Sequence, residues 1–284
     1  NGWQFSADAL VWGINQEDND SYPFLRWQEF NSDFIWLGTN SSTNTDVSNW
    51  SETTLPNATS NIRIPSKVAS NENILEINSD FEVASLLIEE ETAQVKILPS
   101  KSLKVNEYIN NNGSIIFKSD VTGDSYFDEF TGTISGSGTV ISEKYYPAKR
   151  AFRLVASPVN GGRIFDNWQN SGANDAGLGT HITGEQGDVG QFNPTTGIDY
   201  TATGNPSLFA FSTANAWEAV MNTKDTDLEV GVPYRLMVRG DRGIDLNSNA
   251  SEGATTLVTT GDIAVGTQNI TFPSATGEST TFAF

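Results

Sequence analysis

Pairs of large apolar residues two positions apart recur along this chain: Leu86/Ile88, Val95/Ile97, Leu103/Val105 and Ile115/Phe117. In an extended strand that spacing puts both members on one face, whereas a helix needs an apolar stripe at three- and four-residue intervals. Turn-forming residues, Pro99-Ser100 and Asn110-Asn111-Asn112-Gly113, stand between the pairs and break any longer element. The segment EVASLLIEEETAQVKI (82–97) comes closest to a helical pattern. Its apolar residues also fit two strands around an acidic turn, and the same texture continues as far as Val140, so an all-β fold is expected. Short strands at such intervals suit a sandwich or a β-solenoid equally. The Asn-rich turns favour solenoid rungs over 60–142.

From residue 143 the strands become longer and more regular, as in AFRLVAS, SLFAF, PYRLMVR, TTLVTTG, DIAVG and NITF. Among them lies a Gly/Asn/Asp-rich stretch, 170–197, and loops of that length are usually functional or disordered. Trp3, Trp12, Trp27, Trp36 and Trp50, out of seven Trp in all, mark a distinct beginning. The expected organisation is a Trp-rich cap over 1–31, a right-handed β-solenoid (β-helix-like) over 32–142 and an antiparallel β-sandwich over 143–284.

The chain carries 16 basic and 35 acidic residues, a net charge of −19. Such a surface repels phosphate backbones and anionic bilayers, so neither nucleic acid nor membrane insertion is expected. No apolar run reaches the roughly 20 residues that cross a bilayer as a helix. Cysteine is absent, which removes disulfides and thiolate chemistry. The chain begins Asn1-Gly2-Trp3 and stops within a strand-like TTFAF, and it is expected to be an internal piece of a longer protein.

Three stretches carry a resemblance. GWQFSADALVWGINQEDNDSYPFLRWQ (2–28) resembles the closing motif of GLUG-repeat domains of bacterial surface and adhesin-like proteins. FIWLGTNSSTNTDVSNWSETTLPNATSNIRIPS (34–66) resembles the entry to the β-solenoids of secreted Bacteroidota proteins. YYPAKRAFRLVASPV, followed by IFDNWQ, GLGTHITG, TGNPSLFAF, AWEAV and PYRLMVRGDRGIDL, is similar to a module that precedes the C-terminal sorting domain in those proteins. The resemblance implies a large protein exported by the type IX secretion machinery to the outer cell surface or the extracellular medium, and it brings no catalytic residues.

The residues themselves offer few reactive groups. His181 is the one histidine, so any catalytic triad or histidine metal site would need it. It reads as a loop residue bonded to nearby backbone. Asp80, Glu89, Glu90, Glu91, Asp124, Asp128 and Glu129 could pair for glycoside hydrolysis, and Lys96, Lys101 or Lys104 could serve a lyase. With so many acids a solvated face is the simpler reading, and no catalytic residues are expected. Asp245, Asn247 and Asn249 reproduce the opening D-x-N-x-N of a calcium loop, although Ala250 stands where that loop needs Gly. Calcium is therefore the candidate cofactor. Arg239-Gly240-Asp241 reads as a strand end and a turn. Trp12 and Trp27 could stack on sugar rings.

The basic stretch EKYYPAKRAFRLVASPV (143–159) poses the sharpest question. Lys149, Arg150 and Arg153 could hold an acidic glycan, since guanidinium groups fork onto carboxylates. The simpler expectation is a boundary strand whose charges meet nearby Asp and Glu. The functional expectation is a non-catalytic, adhesin-like stalk and display scaffold. The alternatives are a carbohydrate-active enzyme (polysaccharide lyase or glycoside hydrolase) and a carbohydrate-binding module.

Overall fold

A computed structural model describes residues 33–65, 74–212 and 216–263, together with the backbone of a two-strand ladder, β1 (Trp12–Gly13) with β2 (Phe24–Leu25). The fold is all-β, and its first half is a solenoid of about three turns. Each turn lays one strand on each of two parallel sheets. One sheet takes β3 (Phe34–Ile35), β4 (Asn61–Ile64), β6 (Phe81–Ile88), β8 (Ser102–Asn111), β12 (Tyr126–Phe127) and β13 (Thr133–Ser135). The facing sheet takes β5 (Leu75–Ile77), β7 (Gln94–Ile97), β9 (Ser114–Phe117) and β14 (Thr139–Tyr146). A small hairpin of β10 (Ser119–Asp120) and β11 (Gly123–Asp124) projects between them in sequence.

The pairs read from the sequence are the inward-facing columns of this solenoid. Phe34, Ile62, Leu86, Ile109 and Ile134 stand beside one another from turn to turn. Leu75, Val95, Ile115 and Val140 do the same on the other sheet. Nearly all of these side chains are buried in one core, so each turn is stabilised by its neighbours rather than by itself. At the end near residue 34, Trp50 packs edge-on against Trp36 at 5.0 Å and lies against Phe34 and Phe81. Its indole N–H donates to the Asn44 carbonyl. These two tryptophans close the core from within the range expected to be solenoid; the cap expected over 1–31 lies outside the described residues, apart from the backbone of β1 and β2.

The Asn-rich corners have a mechanical role. Asn111 is buried in the column that begins with Ile64 and Ile88. Its Oδ1 accepts from the Gly113 N–H and its Nδ2 donates to the Thr139 carbonyl of the next turn. A Cβ at Gly113 would stand 2.1 Å from the Ala93 carbonyl oxygen, so only glycine lets successive turns approach there. The outward positions carry charge pairs between turns: Arg63 with Glu89 at 2.8 Å, Glu82 with Lys104 at 2.7 Å and Glu76 with Lys96 at 3.8 Å.

Strand β14 does two things. Residues Thr139–Ser142 pair in parallel with β9, closing the solenoid, while Val140–Tyr146 pair antiparallel with β23 (Thr255–Ile263). Beyond β23 the same sheet continues through β16 (Val159–Arg163) to β21 (Asp227–Leu228). Residue 142, where the sequence texture changes, therefore falls inside a strand that belongs to both halves. A second core lies between this extended sheet and an antiparallel sheet of β15 (Ala151–Val155), β22 (Tyr234–Val238), β19 (Leu208–Ser212) and β20 (Ala216–Ala219). Val155, Leu208, Tyr234, Leu236 and Val238 face inward onto Trp168, Leu228 and Leu257.

Part of the Gly-rich stretch 170–197 runs through the interior. Thr180, His181, Ile182 and Thr183 are each at most 4% exposed, and β17 (Thr183–Gln186) pairs with β18 (Asp199–Thr201). Ile182 and Ile198 fill the second core. Exposed segments flank this buried one at 173–176 and 186–188, so the stretch passes from surface to interior and back.

Candidate functional site

The second core encloses the one buried ionic cluster among the described residues. Thr180-His181 leads into β17, Asp199 opens β18, and Arg242 lies in the turn after β22; the three charged or ionisable side chains are 4%, 1% and 3% exposed. Arg242 forks onto Asp199, with Nη1 2.8 Å from Oδ2 and Nη2 2.8 Å from Oδ1. Oδ2 also accepts from Gln169 Nε2 at 3.0 Å and from the Ile182 N–H at 2.9 Å. His181 Nδ1 stands 3.2 Å from Oδ1 in a poorly directed contact. Its Nε2 lies 2.7 Å from the Arg242 carbonyl oxygen. A carbonyl only accepts, so this bond places a hydrogen on Nε2.

Burial pushes the Asp199 carboxyl up, but the approach of His181 and the fork from Arg242 outweigh it and hold the carboxyl below its usual range. A buried carboxylate that accepts four well-formed hydrogen bonds, two of them from a guanidinium, is a fastener. In a hydrolytic triad the histidine nitrogen remote from the acid faces a hydroxyl nucleophile; here that nitrogen is engaged by the Arg242 carbonyl. His181 is bonded to backbone as expected, but that backbone is Arg242 far along the chain and not its own neighbourhood. Neither Asp199 nor Arg242 was legible as its neighbour, because sixty-odd residues of β-structure separate Arg242 from the histidine.

The remaining sequence candidates lie apart from this cluster. Asp245 Oδ1 accepts from the Asn247 N–H in an Asx-turn, and Asn249 holds Arg150 through both its backbone carbonyl and its Oδ1, each at 2.9 Å. Among the described residues no group of three or more His, Asp or Glu side chains comes together to hold a metal ion. In Arg239-Gly240-Asp241, Gly240 is buried with φ at +137°, and both Asp241 oxygens accept backbone N–H groups, from Gly177 and Gly243. That tripeptide is the strand end and turn it was read as. Trp27 is outside the described residues, and only the backbone of Trp12 is described.

The basic stretch resolves unevenly. Lys144 pairs with Asp124 and Lys118 with Glu143, as expected of charges that serve the fold. Lys149 is exposed. Arg150 and Arg153 meet no carboxylate among the described residues; Arg150 takes the Asn249 oxygens, and Arg153 lies 6.0 Å from the Tyr146 ring centre. Among the described residues the expected pairing of these two arginines with acids therefore does not occur; strand alternation sends Arg150 and Arg153 to opposite faces of the sheet, with no ion pair formed at either.

By its fold the chain is a β-solenoid protein with a second β-core built onto its last turn. Comparison with known protein families, curated proteins and solved structures finds no match.

Proposed function

We propose that this chain is a non-catalytic scaffold segment of a larger, exported, surface-displayed bacterial protein, adhesin-like in role and carried by type IX secretion. The observation that carries the scaffold reading is the uninterrupted sheet from β5 through β14 to β23, β16 and β21. A stalk must transmit position and load along its length, and a shared sheet joins two cores without a hinge. The second core is read as a β-sandwich grafted onto the solenoid end, and the solenoid as right-handed, the hand favoured by parallel crossovers. The saturated hydrogen bonding of Asp199 supports a structural rather than catalytic use of the buried charges. The export route rests on the resemblance of residues 2–28, 34–66 and 145–246 to secreted Bacteroidota proteins.

Two measurements test this. An epitope-tagged copy in the native host should be cleaved by protease added to intact cells, and should cease to be so in a strain lacking the type IX machinery. Retention inside wild-type cells would sink the reading. Incubation with a panel of polysaccharides should release neither reducing ends nor unsaturated products; release of either would favour the carbohydrate-active alternative.

A further inference from the structure

The sheet β15–β22–β19–β20 has an outward face unlike a solvated one. Alternation turns Val155, Leu208, Tyr234, Leu236 and Val238 inward, so Phe152, Leu154, Phe209, Phe211, Trp217 and Arg235 share the other side. Leu154 is 75% exposed and Phe152 44%. The register sets Arg235 between Leu154 and Phe209, and Phe211 beside Trp217. The Arg235 guanidinium carbon lies 4.8 Å from the Phe152 ring centre, 4.6 Å from Phe209 and 5.7 Å from Trp217. Three rings thus hold the guanidinium in place at the surface.

Among the described residues none of the cations on this face forms an ion pair with an acid. Arg235 has no ion pair among the described residues, and its Nε is without a hydrogen-bond partner. The pairing of Ala151 with Val238 brings Arg150 and Arg239 side by side on the same face. Burial and the neighbouring Arg150 charge push the Arg239 guanidinium down from its ordinary value. Adjacent like charges are costly, and they persist here in a chain of net charge −19. An anion supplied from outside would neutralise these cations.

We infer that this face binds a uronate-bearing polysaccharide, with Phe152, Phe209 and Trp217 against the C–H faces of the sugar rings and Arg235, Arg150 and Arg239 on the carboxylates. Aromatic side chains present apolar area at low entropic cost, and planar guanidinium groups grip carboxylates with two parallel hydrogen bonds. A thin saccharide chain can lie along one sheet face. A nucleic acid duplex or an anionic bilayer would also have to meet the acidic surface around it. Of the residues the sequence offered for a glycan, Arg150 stays in this site, Arg153 leaves it for the inner face, and Trp217 supplies a described indole. This inference goes beyond the scaffold reading, since a chain can bind such a glycan whether or not it is displayed by the proposed route.

Affinity electrophoresis and calorimetry of the full chain with alginate and polygalacturonate, at about 0.15 M salt to suppress long-range charge effects, test it. Dextran, dextran sulfate, poly-glutamate and anionic phospholipid vesicles form the comparison arms. Wild type should bind the uronate polymers and leave dextran free. Arg235→Gln should weaken uronate binding about 10-fold or more, as loss of a charge-assisted pair does, with an unchanged melting curve. Arg235→Lys, which keeps the charge without the fork, should weaken it measurably. Lys104→Gln, which changes net charge equally on the distant solenoid, should leave binding within about 2-fold, as expected of a screened remote charge. Absence of uronate binding, equal weakening by Arg235→Gln and Lys104→Gln, or binding confined to dextran sulfate, poly-glutamate or vesicles would overturn the inference.

Discussion

Substituting Asp199 by asparagine isolates the fastener of the second core. The replacement keeps the shape but turns an amide N–H₂ towards donors that the carboxylate now accepts, namely Arg242, Gln169 and the Ile182 N–H. It also leaves the Arg242 charge, 3% exposed, without a counter-charge. Breaking one side of a buried pair costs about 3–5 kcal/mol. In a chain of this size each kcal/mol moves the melting temperature by about 2–4 °C, so Asp199→Asn should melt at least about 6 °C lower. The pH dependence has a definite sign. The folded carboxyl titrates below its ordinary 3.8, so its contribution is intact above that value and is lost as pH falls through the lower, folded one. Asp199→Asn should therefore reduce the acid-induced loss of stability below about pH 4, read from urea unfolding at a series of pH values. The double variant Asp199→Asn/Arg242→Met should lose less than the sum of the two single losses, since it removes both charges. A single-variant loss under about 1 kcal/mol, or additive losses in the double variant, would refute the fastener assignment.

Other expectations follow from the solenoid and the turns. Gly113→Ala should destabilise by about 1–3 kcal/mol, because its Cβ meets backbone oxygen that cannot move without parting two turns; chemical unfolding measures it. Asn49→Ala should cost about 1–3 kcal/mol for each group it orphans, since the fully buried Asn49 side chain accepts from the Asn40 and Ser41 N–H groups and donates to Ser41 and Thr43. Calcium titration should give the same heat for wild type and Asp245→Ala, because Asp245 already caps Asn247 and Asn249 is held by Arg150; a heat lost in the variant would instead establish a site there.

The solenoid was legible because its signal is local. Each inward pair, such as Val95/Ile97, announces a strand within three residues, and repetition announces stacking. The Asn-rich corners were legible for the same reason, since Asn111 and Gly113 act on their own turn and the next. What stayed hidden is non-local. Nothing near His181 names Asp199 or Arg242, and nothing near Thr139 says that its strand will pair with β23 from the far end of the chain. The depth of Thr180, His181, Ile182 and Thr183 within the stretch 170–197 was not legible, because glycine and asparagine content reports backbone freedom and not depth. The basic stretch was half legible: period two put Phe152 and Arg153 on opposite faces, but which face was solvent depended on the sheet opposite. Arg235 went unremarked because its three aromatic partners come from three other strands.

The central claim is that one strand, Thr139–Tyr146, closes the solenoid and opens the second core. A cysteine-free chain allows a direct test by paired cysteines. Ile141 faces Thr260 across the β14–β23 ladder, so Ile141→Cys/Thr260→Cys should oxidise to a disulfide in the folded protein, within the Cα separation such bonds accept. Ile141→Cys/Thr259→Cys, one residue out of register and on the opposite face, should remain reduced. Equal cross-linking in both pairs, or none in the first, would contradict the shared strand.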